Sequence, residues 1–133
     1  MVRKLPETLT ESELKKVLDA TKKSHHKLAF ALGFYQGMRV SEVVKLKPED
    51  VDWQQRLIRI KQAKGSKDRN IPIAPEMVRV LKKDLPIKCG IRALELKFKE
   101  KAKVVLGREL HFHSLRHSGA THYLNVKKRG SKA

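Results

Sequence analysis

The stretch His111-Phe112-His113-Ser114-Leu115-Arg116-His117 holds three histidines and an arginine within seven residues. Ser114 predicts the start of a helix here, because its hydroxyl can accept one of the free amide protons of a first turn. His113 would then lie just outside the helix and Arg116 in its first turn. An imidazole and a guanidinium at the positive end of a helix suit the binding of an oxyanion. This stretch alone leaves one alternative open, a basic surface helix with a histidine packed against the core.

The charge of the chain is its second signal. The 133 residues carry a formal net charge of +17, divided as +3 on residues 1–50 and +14 on residues 51–133. A basic surface of this size favours a polyanionic partner, most simply nucleic acid. Cys89 is the only cysteine, which fits a reducing compartment such as the cytoplasm. The sequence shows no signal peptide and no apolar run long enough to span a bilayer, so we expect no membrane partner.

The N-terminal part of the chain is typical of two helices. Thr10, followed three residues later by Glu13, forms a capping box that opens the first helix. Residues 28–35 are apolar almost all round, which indicates a central, buried second helix. We expect Ser24 to cap this helix and Gly37 to end it.

The junction after Gly37 carries Arg39. A short helix from Ser41 follows, so this arginine lies between two helices and directly behind a buried one. An arginine in that place is either paired with a carboxylate, such as that of Glu42, or available to an external anion. The sequence does not decide between these two interpretations.

A hairpin follows. Residues 56–63 alternate between apolar and polar side chains, which predicts a half-buried strand, and Gly65–Asp68 predicts the turn. Residues 70–73 return as a second strand, which should lie at a sheet edge because Pro72 has no amide proton to donate. Three cations crowd this turn: Lys64, Lys67 and Arg69.

Three more helices complete the prediction. Pro75 suits the first position of one, residues 91–105 form a long one that Gly107 closes, and the last contains Gly119 and Ala120, which predict close packing against another backbone. The fold class that we predict is α+β and mainly α, in a single domain over residues 1–133, with a small antiparallel β-sheet of two or three strands on one side.

Three segments together resemble the catalytic domain of the tyrosine recombinases (phage integrase family, Xer-type). They are Gly37-Met38-Arg39-Val40-Ser41-Glu42-Val43, the hairpin Lys64-Gly65-Ser66-Lys67-Asp68-Arg69-Asn70-Ile71-Pro72-Ile73, and His113-Ser114-Leu115-Arg116-His117. Their order and spacing are more specific than any one of them alone. The resemblance runs from about Leu5 to about Leu124.

The resemblance implies DNA integration and recombination by strand transfer without a metal or other cofactor, on double-stranded DNA. A tyrosine attacks a backbone phosphate in this family, which gives a 3′-phosphotyrosyl link and a free 5′-hydroxyl. The resemblance further implies that Arg39 and Arg116 bind the non-bridging oxygens, that His113 is the acid/base, and that Lys64 protonates the leaving oxygen. We also predict DNA contacts for Lys67, Arg69 and His117. The chemistry agrees, because two guanidiniums stabilise the charge of a five-coordinate phosphorus.

The chain departs from the family where the nucleophile is expected. Its tyrosines are Tyr35 and Tyr123, and we interpret both as core residues. We therefore expect a domain truncated before the attacking tyrosine, inactive in strand cleavage alone, and monomeric or weakly self-associating. Residues 1–8 resemble a linker and residues 127–133 a frayed basic tail. The family implies a nucleoid-associated protein in the cytoplasm.

Two other functions remain open at this stage. A helix-turn-helix regulator would use Lys27–Leu46 and place the helix from Ser41 in a major groove. A metal-binding module would use His113 and His117, four residues apart, with help from other histidines: His25, His26, His111 and His122. No cysteine or carboxylate completes a recognisable ligand set in the sequence, so we expect no metal. No carboxylate cluster suits a pair of magnesium ions either, which argues against a two-metal nuclease.

Overall fold

The structure, a computed structural model, describes residues 8–61 and 68–130, with the side chains of residues 83, 84 and 124–130 left out of the description. Its helices are α1 (Glu11–Ala20), α2 (Ser24–Tyr35), α3 (Val40–Lys45), α4 (Val78–Asp84), α5 (Ile91–Leu106) and α6 (Phe112–Gly130). Its strands are β1 (Val51–Asp52), β2 (Leu57–Ile60) and β3 (Arg69–Pro72). Short 3-10 turns cover Pro48–Asp50 and Pro75–Met77. The predicted class, mainly helical with a small antiparallel sheet, is confirmed.

Helix α2 is the centre of the core. Eight of its twelve residues are buried, as its apolar sequence predicts. Phe30 of α2 meets Phe98 of α5 edge to face at 5.2 Å between ring centroids, and Phe112 of α6 packs on both at 6.3 Å. This aromatic cluster (Phe30, Phe98 and Phe112) fixes the N-terminal end of α6 against α2.

Helices α2 and α6 cross with almost no space between their backbones. A Cβ atom on Gly119 would lie 1.8 Å from the carbonyl oxygen of Phe34. A Cβ on Gly33 would come within 3.1–3.2 Å of the side chains of Phe112 and Leu115. The close packing predicted for Gly119 is confirmed, whereas its neighbour Ala120 is exposed.

The sheet has the order β1-β2-β3, with both pairs antiparallel. Ile58 pairs with Ile71, and β3 lies at the edge that Pro72 predicts. The first predicted strand is wrong at its start, because Arg56 takes a φ of +56° in the turn after β1 and the strand begins one residue later. Most of the predicted hairpin turn, residues 65–67, lies outside the described residues.

The predicted helix ends agree with the structure at several points. Thr10 and Glu13 form both hydrogen bonds of the capping box, and Gly107 ends α5 with a φ of +67°. Ser24 is a correction, because it is the first residue of α2 and no side chain caps that helix. None of the helices in the described ranges combines the length and the apolar character needed to cross a bilayer.

Candidate functional site

The turn between α2 and α3 presents Arg39. Gly37 takes a φ of +64°, in the left-handed region that glycine enters without a Cβ penalty, and so reverses the chain after the buried helix. Arg39 follows in an extended conformation as the residue before α3. Its backbone N–H donates to Oε1 of Glu42 at 2.9 Å, which satisfies one free amide of the helix start. The Arg39 side chain is exposed.

Glu42 is occupied by a different arginine. Arg69, the first residue of β3, donates from Nη1 to Oε2 at 2.7 Å and from Nη2 to Oε1 at 3.1 Å. Such a two-pronged contact is the strongest geometry for an arginine and a carboxylate. In the described ranges the Arg39 guanidinium makes no hydrogen bond and no ion pair, so the pairing of Arg39 with Glu42 that the sequence left open does not occur through its side chain.

Arg116 approaches the same turn from α6. Its Nε donates to the carbonyl oxygen of Gly37 at 2.8 Å, two residues before Arg39 in the chain. Burial lowers the pKa of Arg116, and the positive charge of Arg39 lowers that pKa further. Glu42 raises the pKa of Arg116 and Arg69 lowers it, so all three neighbours lie within electrostatic reach. Two arginines 77 positions apart in the sequence therefore converge at the end of α2.

Helix α6 begins three residues earlier than the predicted cap at Ser114 implies. The helix begins at Phe112, because that ring is buried in the aromatic cluster, and the backbone N–H of His111 donates to the Ser114 hydroxyl at 3.1 Å. Ser114 is therefore the third residue of α6, and its hydroxyl accepts a hydrogen bond from the residue before the helix instead of acting as the N-cap. His113 lies inside the helix, and Arg116 is in the second turn rather than the first.

Three histidines form a row beside Arg116. The rings of His111 and His113 stack in parallel, 5.6 Å apart at an angle of 6°, and the ring of His117 meets that of His113 edge to face at 6.1 Å. His113 and His117 are exposed. His113 precedes Arg116 by three positions, and side chains at that spacing are neighbours on a helix. The structure thus brings His113 and the arginine pair to one surface.

Lys64 and Lys67, two of the predicted site residues, lie outside the described residues. The strand that follows them is anchored near the arginine pair, because Arg69, the first residue of β3, is bridged to Glu42.

One prediction on a single residue is wrong, because Tyr123 is 61% exposed and is not a core residue. Sequence reasoning also missed a contact of Cys89, whose Sγ lies 3.5 Å from Nε2 of the buried His26, because a separation of 63 positions gave no signal of it. Tyr35 packs against the core as predicted, and its hydroxyl donates to Glu11 at 2.7 Å.

The histidines proposed for a metal-binding module do not gather in one place. His26 contacts Cys89, whereas His122 packs its ring against Phe34 at 5.4 Å. The carboxylate of Glu11 lies 3.9 Å from Nε2 of His122. The row at the start of α6 contains only His111, His113 and His117.

The residues at the end of α2 are suited to holding one anion. Arg39 offers an exposed guanidinium that has no partner among the described residues, Arg116 offers a partly desolvated one, and His113 presents an exposed imidazole on the same helix as Arg116. Glu42, the carboxylate in the centre, is engaged by Arg69 and does not neutralise Arg39. An arrangement of this kind is chemically able to stabilise an oxyanion whose charge increases during a reaction.

Comparison with known proteins gives consistent matches. The profile of the phage integrase family matches residues 7–106. The tyrosine recombinase XerA of Pyrococcus horikoshii is 34% identical, and the alignment covers 92% of this chain and 49% of that protein. A tyrosine recombinase of Thermosipho africanus is 30% identical with the same coverage of both chains.

Solved structures agree. A crystal structure of XerA recombinase superposes with a TM-score of 0.76 at 25% identity, covering 93% of this chain and 51% of that one. This chain therefore spans about half the length of the relatives that it matches. These matches do not favour the helix-turn-helix regulator, and α3, its supposed recognition helix, is only six residues long.

Proposed function

The chain belongs to the phage integrase family, and from this premise we propose that it is the DNA-binding core of a tyrosine-type site-specific recombinase. Its partner is double-stranded DNA, and its place of action is the nucleoid of the cytoplasm. The observation that carries this proposal is the convergence of Arg39 and Arg116, of which the first is unpaired among the described residues and the second is held by the Gly37 carbonyl.

The proposed roles follow from that geometry. Arg39 and Arg116 each bind a non-bridging oxygen of one phosphodiester, where their charge stabilises the five-coordinate phosphorus more than the ground state. His113, next to Arg116 on α6, acts as the acid/base. In the strand transfer that the family implies, a tyrosine oxygen forms a bond to phosphorus while the bond from phosphorus to the 5′-oxygen breaks, and the leaving oxygen takes a proton from Lys64. We assign the attacking tyrosine to neither Tyr35 nor Tyr123, so residues 1–133 alone bind and polarise the phosphate but do not cleave it.

Other residues support this site. Arg69 holds Glu42 and so fixes the end of the hairpin that carries Lys64 and Lys67. We propose that Lys67 and His117 contact the DNA backbone beside the scissile phosphate. For Arg69 the bridge to Glu42 supports a positioning role first, and its half-exposed guanidinium leaves room for a DNA contact as well.

Binding of a short random-sequence duplex, measured by fluorescence anisotropy at 100 mM salt, tests the proposal. We expect Arg39→Ala and Arg116→Ala each to weaken binding by about 10-fold or more, because a charge-assisted hydrogen bond to phosphate contributes about 1.5–3 kcal/mol. Arg92→Ala removes the same charge from an exposed position on α5 and serves as the control.

Two results would contradict the proposal. Losses for Arg39→Ala and Arg116→Ala that equal the loss for Arg92→Ala would mean that the arginine pair adds only general charge. A loss of binding for the α3 variant Lys45→Ala that exceeds the losses for both arginine variants would favour the helix-turn-helix regulator instead.

A further inference from the structure

A second cluster of polar side chains lies further along α6. Glu11 at the start of α1, Glu76 in the 3-10 turn before α4 and His122 of α6 each place one potential ligand atom within 4.8 Å of the other two. The Nε2 atom of His122 is 3.9 Å from Oε2 of Glu11. His122 follows Arg116 by six positions, which is about 9 Å along the helix axis. The cluster therefore lies on the same helix as the arginine pair but about two turns away from it.

The charge of this cluster is opposite to that of the rest of the protein. The chain has 31 lysines and arginines, yet among the described residues neither Glu11 nor Glu76 forms an ion pair with one of them. The hydroxyl of Tyr35 donates to Glu11, and burial together with both carboxylates raises the pKa of this phenol. No lysine or arginine of the described residues neutralises these two carboxylates, and a cation between them would do so.

Two of the three ligands are held in place. The ring of His122 packs against the rings of Phe34 and Tyr35, at 5.4 Å and 6.3 Å between centroids. Glu11 is held by the Tyr35 hydroxyl, which donates a 2.7 Å hydrogen bond to its carboxylate. Such outer contacts orient metal ligands in known sites. Glu76 is exposed, so its carboxylate is free to adjust.

We propose that Glu11, Glu76 and His122 form a binding site for a divalent transition-metal cation, with Zn²⁺ as the representative ion. One imidazole nitrogen and two carboxylate oxygens form a mixed set that Zn²⁺ accepts in tetrahedral geometry, with water in the fourth position. Metal–ligand bonds of about 2.0–2.2 Å require the ligand atoms to approach to roughly 3.3 Å of each other. The exposed side chain of Glu76 can turn toward the other two ligands to supply that approach. The proposed site does not depend on the recombinase function. Its ligands also differ from the pair His113 and His117, which the sequence suggested for a metal-binding module.

The bound ion would tie three distant parts of the chain together. Residues 11, 76 and 122 belong to α1, the 3-10 turn and α6, so the ion would link α1 and the 3-10 turn to the helix that carries Arg116. A ligand that binds only the folded state stabilises it in proportion to the logarithm of its concentration. The effect of this site is therefore a gain in stability, which can be measured without DNA.

Thermal unfolding of the 133-residue chain, stripped with EDTA and then titrated with ZnCl₂, tests the proposal. We expect a rise in Tm of roughly 5–10 °C at a zinc concentration 100-fold above Kd, and no rise with the same concentration of MgCl₂. His122→Phe keeps a ring against Phe34 but removes the nitrogen ligand, and Glu76→Gln changes an exposed side chain. Each is expected to weaken zinc binding at least 10-fold in calorimetric titration.

Matched controls separate this site from the histidine row. Glu95→Gln changes an exposed carboxylate on α5, and His117→Gln breaks the pair of histidines at the start of α6; both are expected to keep the zinc-dependent rise. No rise in the unaltered chain, an unchanged rise in Glu76→Gln and His122→Phe, or its loss in His117→Gln would each overturn the proposal. Glu76→Gln retains the test if His122→Phe fails to fold.

Discussion

Glu42 connects three arginines through one carboxylate. Its Oε1 atom accepts from the Arg39 backbone and from Arg69, and its negative charge opposes the repulsion between Arg39 and Arg116. Its side chain is only 9% exposed, whereas that of Arg69 is 40% exposed. The residue thus positions Arg39 without touching the anion that Arg39 is proposed to bind.

A double-mutant cycle measures this bridge. We expect Glu42→Gln, Arg69→Met and the double variant to give a coupling of about 1–2 kcal/mol in urea unfolding, because one partner is buried and the contact is two-pronged. The pair Lys97–Glu100 on α5, with both side chains about half exposed and 3.6 Å apart, is the control. It should give roughly 0.3 kcal/mol. Equal couplings for the two pairs would refute the positioning role of Glu42.

His26 makes the stability of the fold depend on pH. Burial, and then the charge of Lys23, lower the pKa of this imidazole below 6.5, so the unfolded chain binds a proton more readily than the folded one. Because the unfolded state holds more protons, the free energy of unfolding rises with pH. The cost of charging His26 is absent above about pH 6.5 and develops as the pH falls below that value.

We expect His26→Gln to flatten the loss of stability between pH 6.5 and pH 5, since glutamine retains a polar partner for Cys89 but does not titrate. The measurement is the free energy of unfolding in urea at half-unit steps of pH. His117→Gln, at an exposed histidine outside the core, is the control and should leave the slope unchanged. A slope that persists in His26→Gln would place the titration elsewhere.

The contact between α2 and α6 is the element pair that builds the site. Gly37 and Arg39 follow directly from the end of α2, and Arg116 projects from α6, so the separation of these two helices sets the separation of the guanidiniums. The backbones approach so closely at Gly119 that the Phe34 carbonyl occupies the place of a Cβ.

Gly119→Ala tests this close crossing, because the crossing decides whether the substitution raises or lowers the free energy of unfolding. Without a clash, alanine would stabilise a helix interior by about 1 kcal/mol relative to glycine. With the Phe34 carbonyl oxygen 1.8 Å away the backbones must separate, and we expect a loss of about 2–4 kcal/mol in urea unfolding. Ala120→Gly, at the exposed neighbouring position, should cost only about 1 kcal/mol. A stabilised Gly119→Ala variant would contradict the close crossing.

The positive charge of the molecule is distributed unevenly along the chain, so we expect residues 51–133 to make most of the contacts with DNA phosphates in the proposed complex. The net charge of +14 on residues 51–133 includes α5, α6 and the hairpin, whereas residues 1–50 contribute only +3. A surface of this kind binds duplex DNA largely by displacing counter-ions. The proposed arginine pair adds a localised contact to that general attraction.

The salt dependence of duplex binding separates the two contributions. If the complex neutralises about six phosphates, the affinity should fall roughly 10³-fold between 50 and 200 mM salt. Arg116→Ala should reduce the slope of log K against log salt by about one, because it removes one phosphate contact. The measurement is anisotropy at four salt concentrations. An affinity that does not change with salt would exclude binding through the phosphate backbone.

The sequence by itself determined most of the local structure. The apolar residues 28–35 predict the buried α2, Thr10 and Glu13 the start of α1, Pro72 the edge strand, and Gly107 the end of α5, because each depends on neighbouring positions in the chain. The start of α6 was predicted wrongly because a distant contact overrode a local preference: Phe112 enters the aromatic cluster and moves the start of the helix ahead of Ser114. The start of β2 was predicted wrongly for a local reason, since Arg56 takes a left-handed conformation in the turn before the strand.

Only the tertiary structure decided which groups meet. The sequence suggested Glu42 as a possible partner for Arg39, but in the fold that carboxylate binds Arg69, 27 positions away from it. The Arg39 guanidinium is left unpaired among the described residues. It also joins Cys89 to His26 and gathers Glu11, Glu76 and His122, for which spacing gave no sign. The physical reason is that charges and ligands interact through space, over a few ångströms, and the crossing of α2 and α6 sets those distances.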